Sequence, residues 1–145
     1  MHHGLHHMSE QVFQYQHRVS YAQTTIGDHV YYSRYLEIIE DCRGEFFRHL
    51  GISLRSLQEE HGMQFPVREC RVRYRSAARH DDELTVSSKV ARLDKVRFTL
   101  AYEIHRANDL LITAEIEHAC LGESGKALRI PPEVSDVLRP WLSEE

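Results

Sequence analysis

Apolar or part-apolar residues at Tyr32, Tyr35, Leu36, Ile39, Cys42, Phe46, Phe47 and Leu50 recur at three- and four-residue steps, with Arg34, Glu37, Asp41, Glu45 and Arg48 on the opposite side. This period predicts an amphipathic helix of about five turns, and its wide apolar stripe requires a large apolar surface to lie against. The stretch that carries it runs from Gly27 to Gly51. Gly27 and Asp28 break the preceding pattern, Asp28 or Ser33 supplies an oxygen for first-turn amides, and Gly51 suits a left-handed stop. Gly44 inside the helix costs roughly 1 kcal/mol against Ala, so either another backbone passes close to it or it is simply tolerated. The free N–H groups of such a helix start stabilise a carbonyl oxygen that is gathering negative charge.

Elsewhere the period shortens to two. Val12 to Ala22 places Phe13, Tyr15, His17, Val19 and Tyr21 on one side and predicts a first strand. Four more alternating segments follow: Phe65 to Arg75, Glu83 to Leu93, Val96 to Arg106 and Leu110 to Leu121. Asp94-Lys95 and Ala107-Asn108-Asp109 read as the tight turns between the last three. Ile52 to Met63 is a polar connector with room for a turn of helix around Leu54 and Leu57. A short helix begins near Pro131 and Pro132 and stops at Pro140. Strand, long helix, four strands and short helix make an α+β layout, with an antiparallel sheet of about five strands around one helix. One helix buries one sheet face, so the far face and the edges invite a second copy of the chain.

The chain has 145 residues, 41% hydrophobic and 28% charged, which fits a single domain spanning 12–145 behind a His-rich leader at 1–11. The leader predicts a flexible segment with adventitious metal affinity, and no metal site is assigned. A formal charge of -4 argues against nucleic acid as the main partner. No apolar run is long enough to span a bilayer and no secretory signal is evident, so the expectation is a cytoplasmic protein without membrane insertion. Cys42, Cys70 and Cys120 lie far apart among apolar neighbours and read as reduced, packed thiols. His118, on an inward strand face, reads as a hydrogen-bonded core histidine.

The phrase His29-Val30-Tyr31-Tyr32-Ser33-Arg34-Tyr35-Leu36, followed by Glu40, Arg43, Glu45, Phe46, Leu50 and Gly51, closely resembles the hotdog-fold acyl-CoA thioesterases, and among them the 4-hydroxybenzoyl-CoA thioesterase-like group. The segments Val72-Arg73-Tyr74 and Tyr102-Glu103-Ile104 are similar as well, and the likeness covers Arg18 to Leu142. It implies a hotdog fold, a homodimer or homotetramer with its site where two subunits meet, and hydrolysis of an acyl- or aroyl-CoA thioester. The substrate is then acyl-CoA or an acyl-carrier thioester. No cofactor is implied, because CoA is part of the substrate.

One departure bears on the chemistry. Gln23-Thr24-Thr25 stands where members of the family read Asp-Thr-Asp, so Thr25 occupies the place of the usual catalytic carboxylate. Asp28 takes the place of the family's Gly before His-Val, and Gly27 has moved one position earlier. Asp28 is thus the candidate acid, as nucleophile or general base, or it is only a helix cap. His29 orients the thioester or Asp28, or is structural. Thr25 offers a hydroxyl for water. The amides of Val30 to Tyr32 are candidate oxyanion donors, and Tyr31 and Tyr32 either line the acyl pocket or pack in the core. Glu37 and Glu40 are alternative acids on the helix. Arg68, Arg71, Arg73 and Arg75 suit the CoA phosphates, or belong to a solvated outer face or to ion pairs across a subunit interface, which is the favoured reading because CoA would touch only part of so long a strand face. Loss of the family acid also motivates an alternative function: binding an acyl thioester or a carrier protein without hydrolysing it.

Overall fold

The computed structural model describes residues 11–143, so the greater part of the His-rich leader lies outside the described residues. The chain runs β1 (Phe13–Arg18), a 3-10 turn (Tyr21–Gln23), α1 (Arg34–Leu50), α2 (Leu54–His61), β2 (Val67–Tyr74), β3 (Glu83–Leu93), β4 (Arg97–Arg106), β5 (Asp109–Ala119), α3 (Pro132–Leu138) and a second 3-10 turn (Arg139–Trp141). The five strands form one antiparallel sheet in the order β1-β3-β4-β5-β2.

Alternation decides which face meets the helix. Leu84, Val86 and Val90 of β3, Leu100, Tyr102 and Ile104 of β4, and Ile112 and Ala114 of β5 point inward and are buried. They meet Tyr35, Ile38, Ile39, Cys42, Phe46 and Phe47 of α1 in one core. At roughly 1.5–3 kcal/mol for each large apolar side chain removed from water, this layer is the main source of stability. Phe46 closes its far end, with ring centroids 5.1 Å from both Phe13 and Trp141.

The start of α1 and its buried side differ slightly from those the period predicts. Ser33 already has helical angles, φ -75° and ψ -17°, and makes no side-chain cap, so α1 starts uncapped at Arg34. Asp28 lies further back in the loop and does not cap it either. The stripe is rotated toward Ile38, which is fully buried, while Tyr32 and Leu36 are exposed. Gly44 has open space where a Cβ would stand, so no backbone approaches it.

The polar connector holds a full helix, α2, because Ser53 accepts the amide of Ser56 and Gly62 supplies a left-handed stop at φ 63°. The first strand ends at Arg18, four residues short, where the chain turns and leaves Tyr21 exposed. Cys42 and Cys120 are buried, but Cys70 is exposed, contrary to the expectation of three packed thiols. The reason is position: α1 lies nearest β1 and β3, and β2 is the uncovered edge strand at the other side of the sheet.

Candidate active site

The segment before α1 folds as a small hairpin of its own. Thr25 donates its amide to the carbonyl of His29 at 2.8 Å, and Asp28 returns a bond to the Thr25 carbonyl at 2.9 Å. The turn needs two successive left-handed residues, Gly27 at φ 97° and Asp28 at φ 67°. Position 28 is therefore a glycine seat occupied by aspartate, one of the few residues that tolerates it.

This geometry aims the Asp28 side chain at the neighbouring loop between β2 and β3. Its Oδ1 accepts the backbone N–H of His80 at 3.3 Å, and its Oδ2 lies 3.9 Å from the Arg79 guanidinium. The side chain is half exposed. His29 forms a bridge with Arg79, and both histidine and hairpin tip face outward.

The oxyanion candidates separate clearly. Val30 donates its amide to Ala78 at 3.0 Å and Tyr31 donates to Gln23 at 3.0 Å, so these two are already used. Among the described residues, the amides of Tyr32 and Ser33 donate to no backbone carbonyl. They stand at the positive end of α1, where free N–H groups and the helix dipole favour negative charge. Aromatic rings surround this point. Tyr31 and Tyr32 pack at 4.9 Å, the Tyr74 ring meets those of Tyr32 and Tyr35 edge-on, and the Tyr74 hydroxyl donates to the Tyr32 carbonyl at 3.3 Å. Tyr31 and Tyr32 are exposed, so neither is a core residue.

Two hollows lie elsewhere on the chain, and neither is lined by Asp28 or by these tyrosines. One, about 960 Å³, is an open saddle on the sheet face away from α1, lined by Arg71, Arg73, Ser87, Lys89, Glu103 and Glu115 among others. The other, about 230 Å³, lies between α1 and the approach to β2, with Glu40, Arg43, Phe47, Phe65, Phe98 and His118 in its wall.

Residues 19–141 match the family described as the thioesterase-like superfamily. This chain belongs to that superfamily. Acyl-CoA thioesterase YbgC of Haemophilus influenzae is 32% identical over 129 residues, covering 88% of this chain and 94% of the relative. A 1,4-dihydroxy-2-naphthoyl-CoA hydrolase of Thermosynechococcus vestitus is 29% identical over 129 residues, with 88% and 86% covered. Among solved structures, a probable thioesterase from Bartonella henselae has a TM-score of 0.78 at 33% identity and covers 83% of this chain and 100% of its own. The enzyme class that goes with this membership is thioester hydrolase, and the five-stranded sheet around α1 is the hotdog fold.

The thioesterase's remaining candidates are spread over the surface. Glu37 pairs with Arg34 at 2.8 Å and Glu40 with Arg43, each one turn along α1 and each largely exposed. Arg71 is taken by Glu115 at 2.9 Å and Arg68 by Glu117 at 3.3 Å. Among the described residues Arg73 and Arg75 have no ion pair. His118 is the hydrogen-bonded, buried histidine its inward position predicts: its Nδ1 donates to the Phe65 carbonyl at 2.9 Å and its ring stacks on Phe98.

The loop carrying Ala78, Arg79 and His80 had no signal of its own in the sequence. It reads as a polar turn between strands, yet it supplies the partners of both Val30 and Asp28. The only trace is Ala77-Ala78, two small residues where an exposed turn would carry polar ones.

Proposed function

We propose that this chain hydrolyses an acyl- or aroyl-CoA thioester to the free acid and CoA. Water adds to the thioester carbonyl, the carbonyl oxygen takes the negative charge, and collapse expels the CoA sulfur. The Tyr32 amide receives the oxyanion, and Asp28, the one carboxylate between Val19 and Ser33, takes the proton from water and returns it to the departing thiolate. The observation that carries this reading is the unused amide at Tyr32, the first after the used amides of Val30 and Tyr31 and set among tyrosine rings, in a chain of the thioesterase-like superfamily. No cofactor enters the scheme.

Arg73, on the strand that ends at Tyr74, and Arg75, just past its end, have no carboxylate partner among the described residues and are the arginines we assign to the CoA phosphates in place of Arg71. We also assign a second copy of the chain to the uncovered β2 edge, where unpaired backbone groups run between the exposed side chains of Val67 at one end and Tyr74 at the other. A homodimer follows, and light scattering on the purified chain tests it. Among the described residues no helix is long and apolar enough to cross a membrane, and three free thiols suit the reducing cytoplasm.

The decisive experiment is thiol release from a panel of acyl- and aroyl-CoA esters by wild type and Asp28→Asn. Loss of about 100-fold in kcat in the variant is expected. Equal rates for the two proteins on every ester would remove Asp28 from the chemistry.

A second reading has its own observation behind it. Thr25 stands at the family's acid position, and Asp28 lines neither hollow and is turned to His80. A protein that binds acyl thioesters, or a carrier protein bearing one, without cleaving them would look the same. Calorimetric binding of CoA esters with no product over hours favours it.

A further inference from the structure

Tyr32 lies between two residues, Val30 and Tyr35, that are both tied to Ala78. The carbonyl of Ala78 accepts the Val30 amide at 3.0 Å, and its N–H donates to the Tyr35 hydroxyl at 2.9 Å. Ala78 is fully buried and Tyr35 is 2% exposed, so water does not compete for either bond. The six-residue segment from Val30 to Tyr35, which contains the unused amides of Tyr32 and Ser33, is thus pinned at both ends to one residue of another loop.

That loop is itself clasped. Arg106, the last residue of β4, donates through Nη1 to the Ala77 carbonyl at 3.2 Å and to Asp82 Oδ2 at 2.8 Å. The same carboxylate oxygen accepts the Arg79 amide at 2.8 Å. One guanidinium and one carboxylate therefore close residues 77–82 from both ends, and the loop is anchored just past the end of β1 by Val19, whose amide donates to the Asp82 carbonyl at 2.9 Å and whose carbonyl accepts from the Asp81 amide at 3.0 Å.

We infer that Tyr35 and Arg106 are positioning residues of the thioesterase: acting through Ala78, they fix the direction of the Tyr32 N–H. The inference rests on the reading above only for the claim that this amide serves catalysis. Neither side chain touches the reacting atoms. Their effect reaches the site because a misdirected donor loses most of its value to an oxyanion, whose hydrogen bonds weaken steeply with angle.

The test compares wild type with Tyr35→Phe, Arg106→Gln and the conservative Arg106→Lys. Amide exchange and 1H–15N shifts are read for Val30 and Tyr32, with Phe46 and Ile112 as core references, alongside kcat and KM on whichever ester wild type cleaves. Tyr35→Phe and Arg106→Gln are expected to speed exchange at Val30 at least tenfold and to move the Tyr32 resonance, with the references unchanged. They lower kcat about tenfold with KM within twofold, and Arg106→Lys recovers part of both effects. Unmoved Val30 and Tyr32 amides in both variants overturn the inference whether or not any ester is cleaved. Moved amides with an unchanged kcat overturn the catalytic use of the pinning. Absence of hydrolysis by wild type strikes the thioesterase reading instead, and the amide signals alone then decide whether Tyr35 and Arg106 position Tyr32.

Discussion

The carboxylate of Asp28 accepts the backbone N–H of His80 at 3.3 Å, across the two loops that meet at the start of α1. The bond goes with φ 67° at Asp28, and the side chain that accepts it does not cap α1, which was one of its two expected roles. Conformation and chemistry at this position can be separated. Asp28→Gly relieves the left-handed strain and is expected to be neutral or stabilising by up to about 1 kcal/mol in urea unfolding. It should nevertheless lose as much hydrolysis as Asp28→Asn, because both remove the carboxylate.

Thr25 offers the opposite experiment. Its amide and carbonyl make the hairpin bonds, to His29 and from Asp28, so the turn does not depend on its hydroxyl. Thr25→Asp is expected to fold normally and to raise kcat/KM at least tenfold in a thiol-release assay by restoring a carboxylate at the family's position. An unchanged rate would mean that Asp28 has taken over the task completely or that the site does not use an acid there.

Gly44 lies in mid-helix with open space where a Cβ would stand. Gly44→Ala should raise unfolding free energy by about 0.5–1 kcal/mol, through helix propensity alone. Denaturant midpoints with an unchanged m-value are the measurement.

Burial pushes the His118 pKa below its usual 6.5, against the opposing hydrogen bond to the Phe65 carbonyl and with further lowering by Arg43. The unfolded chain takes up a proton near pH 6.5 while the folded one does not, so the unfolded state binds more protons below that value. Stability is full above pH 6.5 and is lost as pH falls through the folded pKa, at up to about 1.4 kcal/mol per pH unit. His118→Phe should flatten this slope in urea titrations between pH 7 and 5. Asp82 works in a lower window. Burial would raise its pKa, but the hydrogen bonds from Arg106 and Arg79 and their charges outweigh it and hold it below 3.8. Its contribution is therefore present above pH 3.8 and disappears only in stronger acid.

Thiol labelling should follow exposure. Burial pushes the Cys42 thiol up to about 12 and also raises Cys70 and Cys120, so none is activated as a nucleophile. Cys70, exposed on the β2 edge of the single chain, is expected to react with a maleimide first, and more slowly where a second copy covers that edge. Cys42 should label only on unfolding.

Much of this fold could be read from residue order because its elements are strongly periodic. The expected bounds of β3 match to the residue, and those of β4 and β5 within two at each end, since most of each alternates between turn residues despite the irregularities after Val90 and Ile104. The helix start was harder. Period alone cannot tell that Ile38 is buried and Leu36 exposed, because packing against the sheet decides which side of α1 is covered. α2 read mainly as polar connector because its apolar content is small and its cap is a single serine. The site divided along the same line. The hairpin at 25–29 was visible as a break in pattern, but the partners of Val30, Tyr35 and Asp28 lie some fifty residues on, in a loop with no periodic signal, and only tertiary contact brings them together.

Surface loops between strands ordinarily absorb insertions and deletions with little harm. The connection from β2 to β3 is an exception here, since Ala78 must present its carbonyl and its N–H to two different partners at once while Arg106 holds the ends in place. One residue added or removed between Ala77 and Asp82 would throw both bonds out of register. This stretch should therefore tolerate a change of sequence at Arg79 or His80 far better than any change of length.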